Sequence, residues 1–360
     1  MRHWVFRAAL AHPFGLSLSK PWHLALGLAV ALCTPAAIAS PCGHWAAPQV
    51  DLTLSGYYVD AQHSEVDPTA LQAQRDAAAP GRAFVAALAR QANRYRADPA
   101  APDDKAERAC AIAALQDWAR ARALLGRMEG ARRGQQAEYE RKWLLCALAL
   151  AYLDLRPAME PAAHAIVEPW LDEVADAVWS FWASPTGQPT AHSHNNHYAW
   201  AGLALAASAQ ATGHAGHWRV AHQVFDASLA AVQVDGSLPL ELARGRRALH
   251  YHAFAAAPLV VMAELAAARG EDWLKPPAGA ALQRLVDFIL VGLNDPEPIA
   301  RLAQATQERP TAATLAWLAA WAWHDRDPAR LAAWPGQAVF VPTLGGDLRL
   351  LSRLGWPVRR

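Results

Sequence analysis

From Pro68 to about residue 324 the chain reads as one helix after another, each closed by a short break. The breaks fall at Asp98-Pro99, Ser184-Pro185, Gly213, Asp235-Gly236, Pro276-Pro277 and Asp295-Pro296, and such residues end or redirect helices. Between them, apolar residues at helical spacing predict helices at roughly 69–96, 106–128, 137–156, 161–184, 195–211, 215–232, 243–269, 277–293 and 310–324. Ala, Leu and Arg are abundant and β-branched residues sparse, which agrees with helix. Helices of this length with short connections pair antiparallel, so the expected fold class is all-α, an α/α toroid or barrel. No exact internal repeat is present, and Val339 to Leu351 reads as partly extended.

The N-terminus reads differently. Arg2, Arg7 and Lys20 precede the short apolar run Leu24 to Cys33, and Ala37-Ile38-Ala39 offers a small-x-small cleavage site. We expect residues 1–39 to be a signal peptide, residues 40–360 to be a single domain, and the mature protein to be periplasmic. Leu32 before Cys33 argues against a lipidated cysteine. No long charge-free apolar run follows, so no membrane association is expected after cleavage. Cleavage removes three cations and no acid, taking the formal charge from +1 to about −2. Nucleic acid is therefore an unsuitable partner, and a polyanion would need a local basic cluster. Of the remaining cysteines, Cys42 and Cys110 are expected to bridge and tether the N-terminal arm, leaving Cys146 free in an apolar helix.

Two polar stretches beside strongly apolar helices call for a reason. One is His192-Ser193-His194-Asn195-Asn196-His197-Tyr198-Ala199-Trp200; the other runs from Asp235 to His252. In the second, Arg244 and Tyr251 are seven residues apart, two helical turns, with Arg247 one turn before the tyrosine. A guanidinium holds a carboxylate while the neighbouring phenol exchanges a proton. That pairing suits elimination from a uronic acid, where loss of the C5 hydrogen adds negative charge to the carboxylate and donors must absorb it. Asn196 and Arg244 are the expected donors, with His197 supporting. His192-x-His194-x-x-His197 also has ligand-like spacing, but no carboxylate or cysteine lies nearby to complete a set, so no metal or cofactor is expected. Asn195 reads as a helix cap. Most of the sixteen tryptophans read as core, with Trp200 a candidate for lining a groove.

With these residues in view, the sequence resembles family 5 of the polysaccharide lyases, the alginate lyase family of Gram-negative bacteria. The resemblance rests on Asn195-Asn196-His197, on Asp235-Gly236-x-Leu238-Pro239-x-Glu241-Leu242 running into Arg244, Arg247, Ala248, Leu249, Tyr251 and His252, on Arg141-Lys142-Trp143, and on Leu344-Gly345-Gly346-Asp347-Leu348. It implies an incomplete α/α toroid with a deep cleft. It also implies catalysis by Asn196, His197, Arg244 and Tyr251, and substrate contacts from Arg141, Lys142, Trp143, Trp200, Arg247 and His250. A lid loop at about 52–70 is implied, carrying Tyr57 or Tyr58 over the substrate. The cysteines matching Cys42 and Cys110 recur in the family, and the enzyme is expected to act as a monomer. Three departures stand out. Ala97 to Glu107 looks longer than the usual connection, and Gly187 to His194 carries histidines and no lysine or arginine. The surroundings of Tyr57-Tyr58 and His250-Tyr251 are closest to a branch that accepts several polyuronates, mannuronate and glucuronate among them.

Two other classes fit the same helical frame: a glycoside hydrolase using Asp235 and Glu241 as its carboxylate pair, and a non-catalytic periplasmic polyuronate-binding protein. Fold alone separates neither from a lyase.

Overall fold

The computed structural model describes residues 42–350 apart from 102–103, 184–194, 323, 326–330 and 332–339, and omits the side chains of 132–134. The expected export signal therefore lies outside the described residues.

Four antiparallel helix pairs form the body. They are α1 (Pro68–Ala97) with α2 (Lys105–Arg120), α3 (Ala131–Leu155) with α4 (Pro161–Trp182), α5 (Asn196–Thr212) with α6 (Ala215–Ala230), and α8 (Ala248–Ala268) with α9 (Ala278–Asn294). The short α7 (Pro239–Leu242) precedes α8, while α10 (Glu297–Ala303) and α11 (Leu318–Trp321) follow the last pair. The first members pack side by side in the order α1, α3, α5, α8, and the second members lie outside them. This is an incomplete α/α toroid: an arc of hairpins with α1 and α8 at its two ends. The turn Pro342–Leu344 touches α1, α3 and α8.

Burial follows from position in the arc. Nearly every residue of α5 and α8 is buried, as an inner helix that is apolar all round requires. The stretch Gly245–Ala268 has the length and composition to cross a bilayer, but most of it is packed inside the protein. Outer helices such as α9 bury one face, through Leu282, Leu285, Val286 and Ile289.

Helix boundaries differ from the sequence reading where other segments capture the backbone. The second helix stops at Arg120, not 128, because Leu124 N–H donates to the Gln49 carbonyl (2.8 Å) and Gly126 N–H to that of Val50 (3.0 Å). Met128–Glu129 (β2) then pairs in parallel with Leu52–Thr53 (β1). Gly130 must be glycine, since a Cβ there would stand 1.9 Å from the Leu54 carbonyl oxygen. This pairing fixes the base of the loop that follows β1. The helix expected at 243–269 begins at Ala248, because Gly245 adopts a φ of +54° and Gln307 caps the new start through Leu249 N–H (2.9 Å). Asp295-Pro296, read as a break, opens α10, with Asp295 accepting from Glu297 N–H (3.0 Å). The helix expected at 310–324 is only a 3-10 turn and one α turn, ended where buried Asp325 takes the Trp321 indole N–H. Phe340–Val341 and Gly346–Asp347 form a short antiparallel pair, consistent with the extended reading. Asn93 of α1 pins it, donating to the Gly345 carbonyl (2.8 Å) and accepting from Asp347 N–H (2.7 Å). The Leu344–Leu348 motif is thus a tether between the C-terminal segment and the toroid.

Cys42 and Cys110 form the expected disulfide, and Cys146 is free and buried.

Candidate active site

Asn195 ends the preceding chain and starts α5, accepting from His197 N–H (3.0 Å) and Tyr198 N–H (3.4 Å). Asn196 and His197 are therefore placed on the first turn of an inner helix. The motif after Asp235 is built to meet them. Gly236 turns the chain at φ +88°, where a Cβ would approach the Arg284 carbonyl oxygen to 2.2 Å. Buried His252 then accepts from Leu238 N–H (2.9 Å), and Pro239 opens α7. That turn delivers Glu241 to the N-terminus of α5, where its carboxylate accepts from Asn196 N–H (2.6 Å) and Nδ2 (3.0 and 3.1 Å). An anion is favoured at that helix end. Burial raises the Glu241 pKa, against Arg244 and the Asn196 hydrogen bonds, which lower it.

Glu241 is thus a positioning group, and Asp235 is spent on the turn by accepting from Ser237 N–H (2.9 Å). The two do not form the carboxylate pair of a hydrolase. The Asn196 amide nitrogen donates to the Glu241 carboxylate, lying 3.0 and 3.1 Å from its two oxygens, and Asn196 Oδ1 is buried with no partner among the described residues.

Arg244 and Tyr251 do meet, although the chain between them is not one helix. The Arg244 guanidinium lies 4.9 Å from the centre of the Tyr251 ring, and that of Arg247 lies 5.2 Å from it. Arg244 Nε stands 3.6 Å from Glu241 and makes no hydrogen bond. The Tyr251 hydroxyl is 2.6 Å from that of Tyr58, which accepts from Arg247. Of the two candidate lid tyrosines, Tyr58 is the one that reaches Tyr251; the Tyr57 ring lies tilted beside it, with centres 4.5 Å apart. Burial raises the Tyr251 pKa, with Arg247 and the Tyr58 hydrogen bond working to lower it. Burial wins, and the resting group is a phenol.

Beside them lies a cavity of about 310 Å³ lined by Tyr57, Tyr58, Trp143, His197, Arg247, His250 and Tyr251; of the four expected catalytic residues His197 and Tyr251 line it, while Asn196 and Arg244 lie behind its wall. His250 is pushed down to about 4 by burial and by Arg247, so it faces the cavity uncharged at neutral pH. Trp143 lines the cavity with its ring, and its indole Nε1 is buried without a hydrogen-bond partner. Sequence reasoning missed His63, Gln135, Gln136, Tyr139 and Phe254, which also line the cavity. Tyr139 lies one turn before Trp143, a helical spacing that was the available signal.

Three expected substrate contacts sit elsewhere. Arg141 is buried against Glu138 and the Ala177 carbonyl (3.0 Å). Trp200 is core, its indole donating to the Phe254 carbonyl (3.1 Å). Lys142 has no exposed surface and meets His197, not the cavity. Each lies on the face of its helix turned into the packing between helices. His192 and His194 lie outside the described residues; among the described residues no three His, Cys, Asp or Glu side chains are grouped to hold a metal.

Comparison with known proteins gives a consistent picture. The family model for alginate lyase matches residues 51–299. A polysaccharide lyase from Stenotrophomonas maltophilia is 37% identical over 341 residues, covering 94% of this chain and 98% of its own. An alginate lyase from Azotobacter vinelandii is 33% identical over 269 residues, 72% of this chain and 68% of its own. In fold, the chain is similar to alginate lyase A1-III from Sphingomonas species A1, with a TM-score of 0.71 at 23% identity over 86% of this chain and 85% of that one. A variant of that lyase complexed with a tetrasaccharide matches with a TM-score of 0.72 at 21% identity, again over 86% of this chain and 85% of that one.

Proposed function

The chain belongs to the alginate lyase family and is a polysaccharide lyase, and from that premise we propose that it cleaves polymannuronate and related glucuronate polymers by β-elimination at the Tyr251 cavity. The observation that carries this reading is the Tyr251 hydroxyl in the cavity wall, with two guanidiniums over its ring and His197 lining the same space.

The substrate carboxylate sits against His197, with the Arg244 and Arg247 guanidiniums beside the Tyr251 ring. These absorb the charge that builds as the C5 proton leaves. Asn196 contributes by holding the Glu241 carboxylate beside Arg244. Tyr251, as phenolate, takes the C5 proton. The C5–H electron pair becomes the C4=C5 bond, the C4–O4 bond breaks, and Tyr251 returns the proton to O4. No water is consumed. In mannuronate and glucuronate, which differ only at C2, the C5 hydrogen and O4 lie on one side of the ring, so one phenol serves both steps. In guluronate, the C5 epimer, that hydrogen lies opposite.

Export through residues 1–39 to the periplasm and action as a monomer complete the proposal; the Cys42–Cys110 bridge supports an oxidising compartment. The test is ultraviolet absorbance on a panel of polymannuronate, polyglucuronate and polyguluronate. Absorbance from the conjugated product should grow fastest on the first two. New reducing ends without that absorbance would identify a hydrolase, and preference for polyguluronate would displace Tyr251 as base.

A further inference from the structure

His197 lines the cavity, and its Nδ1 stands 3.1 Å from Nζ of Lys142, a lysine with no exposed surface. Neither the chemistry above nor the helical packing needs a charge there. Yet the ring centres of Tyr139, Trp143 and Trp182 lie 4.0, 4.7 and 4.9 Å from Nζ, a cage that favours a cation. Each carboxylate near it has another partner: Glu138 is paired with Arg141 and Glu140 with Arg82. His197 itself is stacked on Tyr139 at 3.8 Å, which holds its plane. Arg247, just before α8, and His250 and Tyr251, on its first turn, reach the same cavity.

Burial drives the Lys142 pKa well below its ordinary value, against the negative field of Cys146, Glu140 and Glu138. Two cations 3.1 Å apart around a lysine with no exposed surface repel strongly, and the aromatic cage favours keeping one positive charge on the pair. When the lysine carries it, the ammonium has only hydrogens to offer, Nδ1 accepts one, and the ring proton is on Nε2. When the histidine carries it, both ring nitrogens are protonated. Nε2 therefore bears a hydrogen in either case.

We infer that Lys142 is a positioning residue that holds His197 with Nε2 protonated, making His197 a hydrogen-bond donor to the substrate and barring it as a base. The inference rests on the polyuronate lyase reading above. It also supplies a source of selectivity. With His197 barred, proton abstraction is left to Tyr251, and a C5 hydrogen on the other side of the sugar has no acceptor.

Nitrogen-15 NMR of the intact, histidine-labelled enzyme should show His197 Nε2 protonated throughout pH 6 to 8. In Lys142→Met, a near-isosteric apolar change, a neutral His197 should show an unprotonated Nε2 population that the wild-type enzyme lacks. The ratio of polyguluronate to polymannuronate cleavage should then rise about tenfold or more, as an imidazole base becomes available. An unprotonated Nε2 in the wild-type enzyme overturns the inference whatever the variant does, and so does an unchanged substrate ratio in a folded Lys142→Met protein. Wild-type absorbance on polymannuronate separates this failure from that of the lyase reading, because the NMR signature does not depend on turnover.

Discussion

The two sides of the cavity are built in opposite ways. His197, Tyr139 and Trp143 stand on α3 and α5, inner helices packed on most of their surface, with Asn196 buried behind them, and buried Lys142 and Glu241 hold His197 and Asn196 in place. Facing them, Tyr57, Tyr58 and His63 belong to a loop held down by a few polar contacts. Arg246 Nε donates to the Ser64 carbonyl (3.0 Å), Arg244 Nη1 to that of Gln62 (3.5 Å), and Arg247 to Tyr58. Groups that must meet a developing charge without rearranging belong on the first kind of wall. A loop that admits a polymer and then covers it belongs on the second. Tyr251 sits at the junction, rooted in α8 and hydrogen-bonded to the loop. Changes on the helical side should lower turnover, and changes on the loop side should raise KM.

The largest effect is expected at the junction. Tyr251→Phe removes one hydroxyl and leaves the ring and its arginines, so binding should persist while kcat falls about 10⁴-fold, the upper end for an acid–base group. The same residue sets the pH dependence. Because burial raises its pKa, the base form is scarce at neutral pH, and kcat/KM should climb with pH from 7 into the alkaline range, by up to about tenfold per unit. A flat profile, or substantial turnover in Tyr251→Phe, would move the base elsewhere. Next in size are Asn196 on the helical wall and Arg244 beside the junction. Asn196→Ala and Arg244→Ala should fold normally and lose about 10²–10³ in kcat. Parallel loss of helicity would make their role structural.

Much of this contrast was legible in the sequence, and unevenly so. The helical wall was the readable side. Asn195-Asn196-His197 marks a capped helix start by residue type alone, and Arg244, Arg247 and Tyr251 are close enough in sequence for spacing to bring them together. What spacing did not reveal was direction. Arg141, Lys142 and Trp143 are consecutive, so they point to different faces, and only Trp143 reaches the cavity. Trp200 carries the right chemistry on the wrong face of α5. Glu241 was read for its carboxylate, but its role depends on a contact across 45 residues that no local pattern encodes. The loop side was least legible, because its shape is set by Asp60 hydrogen bonds and by pairing with residues 124–129.

Asp60 provides a direct test of that loop. Its carboxylate accepts from Ser64 N–H (2.9 Å), Ser64 Oγ (2.9 Å) and Glu65 N–H (2.8 Å). Burial works the other way, but these hydrogen bonds hold its pKa down at about 2, so it is ionised wherever the enzyme would be assayed. Asp60→Ala should free the segment carrying His63 and Ser64 and raise KM about threefold to tenfold, the scale of one or two lost hydrogen bonds. Little change in kcat is expected. A fall in kcat matching that of Arg244→Ala would mean that the loop takes part in the chemistry and that the two sides do not differ in kind.

The smallest effect on turnover is expected from the Cys42–Cys110 bridge, although it closes 68 residues and spans the whole loop. Leu52 N–H donates to the Arg127 carbonyl (2.9 Å) and Leu54 N–H to that of Glu129 (3.0 Å), while Gln49 and Val50 accept from Leu124 and Gly126. The arm is thus fixed at the base of the loop without help from the bridge. Removing the disulfide in a Cys42→Ser, Cys110→Ser protein should cost about 2–4 kcal/mol of stability through the unfolded chain. Denaturant titration should show that loss, while kcat and KM stay within about twofold, since loss of a restraint on the unfolded state leaves the folded site in place. A rise in KM as large as that of Asp60→Ala would show that the arm, and not the Asp60 turn, governs how the loop closes over substrate.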